Sequence, residues 1–63
     1  MKQYSLKELR ARFEETQAET AKALEVSYQT YNSWENNPGI IKLTNLLKIA
    51  KHFKVSIDEI RPF

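Results

Sequence analysis

Apolar positions recur along the chain in short helical blocks separated by polar breaks. Leu6, Leu9 and Phe13, three and four apart, predict a first helix with that stripe buried. Ser5 precedes it with Glu8 three residues on, a capping box, and Tyr4 and Leu9 are spaced as a hydrophobic staple. Residues 1–4 read as a short lead. Glu8 and Arg12, four apart, are set to pair on the exposed face. Glu14-Glu15 breaks the pattern. Thr16 and Glu19 then form a second capping box, followed by a small apolar stripe at Ala21 and Leu24. Glu25 and Val26 make a tight turn. Ser27 caps a third helix, Tyr28 to about Asn36, with Val26 and Tyr31 as its staple.

The Asn36-Asn37-Pro38-Gly39 run ends that helix. Of the two adjacent isoleucines that follow, Ile40 and Ile41, one is expected to be partly exposed. Residues 43–53 carry the most regular periodicity, with Leu43, Leu46, Leu47, Ala50 and Phe53 on one face and Lys48, Lys51 and Lys54 directed away. His52 stands without another His or any Cys and is expected to be exposed and structural. Ser56 and Glu59 form a fourth capping box, and Val55 and Ile60 a staple, opening a last short helix.

The third helix has two unlike faces. Tyr31 and Trp34, with Thr30, lie on one side. Trp34 is assigned to the core, and the Tyr31 hydroxyl is expected to reach the surface. Tyr28, Gln29, Asn32, Ser33 and Asn36 lie on the other side, which has hydrogen-bonding groups and no charge. That equipment suits the edges of base pairs. Gln29 and Asn32 can each offer an amide to adenine, worth roughly 1–3 kcal/mol of discrimination. Tyr28 suits a thymine methyl or a phosphate, and Ser33 a direct or water-mediated base contact. Arg10 and Arg12 read first as solvated helix surface and second as phosphate contacts.

The stretch from Thr16 to Asn36 resembles the helix-turn-helix of the phage repressor and Cro proteins, the lambda-repressor-like family. The residues that carry the resemblance are Thr16-Gln17, Glu19, Ala21, Leu24, Val26-Ser27, Thr30 and Trp34-Glu35-Asn36. The runs 46–51 and 55–60 fit the family's last two helices. The resemblance spans about Leu6 to Ile60 and implies an all-α, five-helix domain with the helix-turn-helix at helices 2 and 3. It implies a phosphate contact from Gln17 and further ones from Asn36, Asn37, Gly39 and Lys42. It also implies a two-fold dimer contact near the end of the chain, for which Ile57, Arg61 and Phe63 are the candidates. The sequence departs from the family pattern at Glu14-Glu15, at Glu25 and at Asn37. At Glu25 and Asn37 the family prefers glycine; a glutamate at Glu25 in left-handed geometry costs about 1 kcal/mol, so either that strain is tolerated or the turn takes another shape. Asn37 is expected to serve as a left-handed cap.

Composition narrows the picture further. A chain of 63 residues is one domain and buries only about 60% of its unfolded surface. It has no cysteine, hence neither a disulfide framework nor a cysteine-based zinc site. The net charge of +2 would not by itself suggest nucleic acid, but 36–54 holds four lysines and no acidic residue. There is no nucleophile–His–acid set, metal cluster or glycine-rich phosphate loop, so no enzyme, metal or cofactor is expected. Without a leader or membrane-length apolar run, a cytoplasmic location is expected. So short a chain leaves no room for a ligand-sensing domain, and no small-molecule effector is expected. The expected function is a sequence-specific, double-stranded DNA-binding transcriptional regulator acting as a homodimer. The alternative is a protein-interaction module of the same fold.

Overall fold

The computed structural model describes residues 2–61. Four α-helices follow one another: α1 (Leu6–Arg12), α2 (Gln17–Ala23), α3 (Tyr28–Asn36) and α4 (Leu43–Phe53). One 3-10 turn, Pro38–Ile40, links α3 to α4, and another, Ile57–Glu59, follows α4. The expected fifth helix is therefore a single 3-10 turn. Its capping box forms, with Glu59 Oε1 accepting from the Ser56 amide at 2.9 Å. Elongation stops because Ile60 turns extended and pairs with Tyr4 as an isolated parallel β-bridge. Tyr4 N–H donates to the Glu59 carbonyl at 2.7 Å, and Arg61 N–H to the Tyr4 carbonyl at 2.8 Å. Tyr4 is thus tied down, not part of a loose lead.

The three expected caps of α1, α2 and α3 all form. Ser5, Thr16 and Ser27 each accept from the backbone amide three residues on, and Glu8 and Glu19 complete their boxes. The C-terminal ends of α1, α2 and α4 share one solution. Glu14, Glu25 and Lys54 take φ of 55°, 61° and 57°. In each case the next amide reaches back five residues: Glu15 to Arg10, Val26 to Ala21 and Val55 to Ala50. These are Schellman closures built on residues with a β-carbon, where glycine is the usual occupant. Asn37 is not a left-handed cap; its φ is -145°, and the chain passes straight into the Pro38–Ile40 turn.

Leu6, Leu9, Ala21, Leu24, Tyr31, Trp34, Ile41, Ile49, Ala50, Phe53 and Ile60 form one buried cluster. Ile41 is buried and Ile40 exposed. The inward stripe of α4 runs through Leu46, Ile49, Ala50 and Phe53, and Leu43 and Leu47 are 63% and 55% exposed. The apolar side of α4 is broad enough to satisfy two stripes, and the packing selects the one containing Ile49. Phe13 is likewise outside the core at 40% exposure; it packs edge-on to Phe53, 5.5 Å between ring centroids, and over His52. The expected Glu8–Arg12 pair does not form. Glu8 serves the α1 cap and Arg61, while Arg12 lies over the Tyr4 ring at 5.0 Å.

His52 is half-buried and paired. Its Nε2 lies 2.9 Å from Glu15 Oε1, and the buried Thr20 hydroxyl donates to the same oxygen at 2.6 Å. Burial alone would raise the Glu15 carboxyl, but His52 and then Thr20 hold it below its ordinary value. This cluster clamps α4 to the connection between α1 and α2.

Candidate nucleic-acid interface

The α2–α3 pair is the most extensive helix contact in the domain. It depends on three local features: the Thr16 cap, the small buried Ala21, and the Glu25 turn that reverses the chain into Ser27. Tyr31 and Trp34 anchor α3 from beneath, their rings edge-on at 6.4 Å. Contrary to the expectation of a surface hydroxyl, Tyr31 is 0% exposed. Its hydroxyl is sealed beside Arg10 and Glu35 without a hydrogen bond of good geometry. Burial first, and then the Glu35 carboxylate, push its ionisation far above the ordinary phenol value. Thr30 is exposed and joins the Ser27 cap in place of the core side of α3.

Beside Tyr31 lies an ion pair that sequence inspection did not find. Arg10 Nε donates to Glu35 Oε2 at 2.8 Å, and Arg10 Nη1 donates to the Glu15 carbonyl at 3.0 Å. Arg10 is therefore neither solvated surface nor a free phosphate contact. Burial alone would raise the Glu35 carboxyl, but hydrogen bonds led by Arg10 outweigh it and hold the group below its ordinary value. Glu35 in turn raises the Arg10 guanidinium. One sequence signal existed. Glu35 follows a core Trp34 and has no basic residue three or four positions away with which to pair along the helix.

From this ion pair a hydrogen-bonded chain reaches the outer face. Gln17 Nε2 donates to Glu35 Oε1 at 2.8 Å and to Asn32 Oδ1 at 3.2 Å. The Tyr28 hydroxyl donates to Gln17 Oε1 at 3.0 Å. Gln17, Tyr28 and Asn32 are thus brought together. Both N–H groups of the Gln17 amide are engaged within the protein, so its side chain meets a phosphate only by releasing one of them.

The remaining candidates are placed as follows. Gln29 is exposed, with no side-chain hydrogen bond among the described residues. Ser33 is half-buried, and its hydroxyl donates to the Thr30 carbonyl at 2.7 Å, leaving only its lone pairs for a ligand. Asn36 and Asn37 are exposed at the end of α3, and the Asn37 N–H is engaged by the Ser33 carbonyl at 2.9 Å. Gly39 is exposed in the 3-10 turn, and Lys42 is exposed at the start of α4. Ile57 is half-buried. Arg61 is held by the Gln3 carbonyl at 3.2 Å and by Glu8 at 3.4 Å. Phe63 lies outside the described residues. Among the described residues no group of three or more His, Asp or Glu side chains is gathered to hold a metal ion, and no helix is long and apolar enough to cross a membrane.

Comparison with known proteins bears on this geometry. The family model of helix-turn-helix domains matches residues 6–60. A 45-residue segment is 38% identical to the cryptic phage CTXphi transcriptional repressor RstR of Vibrio cholerae serotype O1. That segment covers 71% of this chain and 40% of that repressor, so the chain spans well under half of its relative. No solved structure matches.

Proposed function

The chain belongs to the lambda-repressor-like helix-turn-helix family, and from that premise we propose that it is a sequence-specific, double-stranded DNA-binding transcriptional regulator. The observation that carries the proposal is α3 itself. Its inner side is pinned by Tyr31, Trp34 and the Arg10–Glu35 pair, and its outer side offers Tyr28, Gln29, Asn32 and Ser33, uncharged groups held by a rigid support. An α-helix so equipped fits the major groove, where each base pair shows a distinct donor and acceptor pattern. Gln29 and Asn32 supply base readout. Lys42, Asn36 and the Asn37–Gly39 turn supply phosphate contacts, which set register without reading sequence.

Two copies would place their α3 helices in successive major grooves, about 34 Å apart, on a near-palindromic site. Regulation then follows from occupancy of a promoter-proximal site. The experiment is selection from random duplex DNA by the purified protein, followed by titration of wild type and Gln29→Ala on the selected and a scrambled duplex. Gln29→Ala should lose about 1–3 kcal/mol on the selected site and little on the scrambled one. Equal loss on both removes Gln29 as a base reader, and no enrichment by the wild type removes the proposal.

One observation favours a second function, a protein-binding module. Ile40, Leu43 and Leu47 are all exposed beyond the helix-turn-helix. Binding to duplex DNA that weakens steeply as salt rises supports the first function, and its absence the second.

A further inference from the structure

We propose that Gln17 is a positioning residue that fixes the polarity Asn32 offers to DNA, so that Asn32 reads a base edge that accepts hydrogen bonds and not an adenine pair. This inference rests on the DNA-reading role of α3 and names the chemistry of one contacted base.

The polarity follows from a chain of donors and acceptors that begins in the protein interior. Arg10 carries only donors, so the Glu35 carboxylate it grips at 2.8 Å accepts. The amide end of Gln17 that lies 2.8 Å from the other Glu35 oxygen must therefore be its nitrogen. That same nitrogen stands 3.2 Å from the Asn32 amide, so the atom Asn32 turns toward it must be the oxygen. The Gln17 oxygen then faces the other way and takes the proton of the Tyr28 hydroxyl at 3.0 Å.

No step can be reversed singly. Turning Asn32 over would set two N–H donors 3.2 Å apart. Turning Gln17 over as well would set its oxygen against the Glu35 carboxylate at 2.8 Å. A buried or half-buried polar group left facing its own kind loses its hydrogen bond and remains desolvated.

The consequence at the surface is a division of labour. The Asn32 N–H2 group points away from Gln17 and has no partner among the described residues. Tyr28 and Ser33 have each committed their hydroxyl proton inward and offer lone pairs only. Of the four base-reading candidates Tyr28, Gln29, Asn32 and Ser33, Gln29 keeps an uncommitted amide, the form that pairs bidentately with adenine N6 and N7. Asn32, with its oxygen turned back to α2, is matched to guanine, whose O6 and N7 both accept.

The test is selection from random duplex DNA by the purified full chain as wild type, Asn32→Ala, Gln17→Met and Gln17→Lys. Asn32→Ala identifies the base pair Asn32 contacts, as the one whose preference falls by about fivefold or more. In the wild type the pair selected there should be G·C. Gln17→Met has similar reach but no donor, so it frees Asn32 to turn over. An A·T pair should then become acceptable at that position while the preference at the Gln29 base pair stays unchanged. Gln17→Lys restores a donor to both Glu35 and Asn32 and should restore the wild-type preference. Overall affinity changes in both Gln17 variants, so the readout is the ratio between bases at one position.

An A·T pair selected by the wild type at the position read by Asn32 overturns the inference, as does an unchanged preference in Gln17→Met. A selected site that Asn32→Ala leaves intact at every position overturns it too, while leaving the DNA-binding function standing. A wild type that selects no site at all removes both.

Discussion

Replacing Glu25 by glycine should stabilise this protein, although it deletes a side chain and adds no contact. Glu25 sits at φ 61° at the end of α2, exposed, with no side-chain hydrogen bond among the described residues. An L-residue with a β-carbon held there carries about 1–2 kcal/mol of steric cost. A carboxylate at the negative end of a helix adds an unfavourable term of about 0.3–1 kcal/mol. Against these stands the extra freedom glycine has in the unfolded chain, about 0.5–1 kcal/mol. The balance is a gain of about 1 kcal/mol, or roughly 4–8 °C in Tm for a domain of this size. Thermal and urea unfolding of wild type, Glu25→Gln and Glu25→Gly separate the terms. The Gln variant removes the charge and keeps the β-carbon, so the Gly–Gln difference isolates the backbone. Glu14→Gly, at φ 55°, should behave in the same way. Lys54→Gly should gain less, because it also removes a cation from the end of a helix where a cation is favourable. Glu25→Gly melting at or below the temperature of Glu25→Gln would refute the reasoning.

Other outcomes follow from the same structure. Arg10→Met leaves Glu35 without its cation in a half-buried setting, and urea unfolding should register a loss of about 2–4 kcal/mol. Acid should act through Glu15 and Glu35, whose carboxyls are held below their ordinary 4.5 in the fold. The unfolded chain binds protons first, so their contribution is intact above that value and disappears as pH falls through the depressed ones. Melts between about pH 6 and about pH 3 should show a shallower decline for Glu15→Gln than for wild type. Ile49→Ala should cost about 2–5 kcal/mol and Leu47→Ala no more than about 0.5 kcal/mol, and equal losses would mean α4 faces the core differently. Lys42→Ala should weaken binding to every duplex and flatten the dependence of affinity on salt, and an unchanged slope strikes it from the phosphate contacts.

What could be read in advance was local. Ser5, Thr16, Ser27 and Ser56 announce helix starts because the cap and its partner lie within four residues of one another. The core position of Trp34 was legible from its helical spacing to Tyr31, whereas the left-handed turn at Glu25 was only one of two shapes left open there. Where geometry depended on distant partners, the sequence was silent. Arg10 finds Glu35 across 25 positions and Glu15 finds His52 across 37, and no periodicity encodes either. The face of α4 was ambiguous because Leu43, Leu46, Leu47, Ile49, Ala50 and Phe53 are all apolar, so only the neighbouring elements decide between Leu47 and Ile49. The last helix failed at its far end: its start signal was sound, but pairing with Tyr4 claimed the backbone of Ile60. On the outer face of α3, which side chains lie there was readable and their hydrogen-bond polarities were not. Which end of Asn32 faces outward is decided by Gln17 and, behind it, by an ion pair no local pattern reveals.

The Tyr4–Ile60 bridge gives the domain a mechanical character as well. The two segments run parallel, so tension applied at residues 2 and 61 slides them past one another instead of peeling them apart. The Tyr4–Glu59 and Arg61–Tyr4 hydrogen bonds then bear load together, while the helices enclosed between them bear none. Under force the domain should hold its length until this clasp shears, and only then should the caps and helices begin to yield.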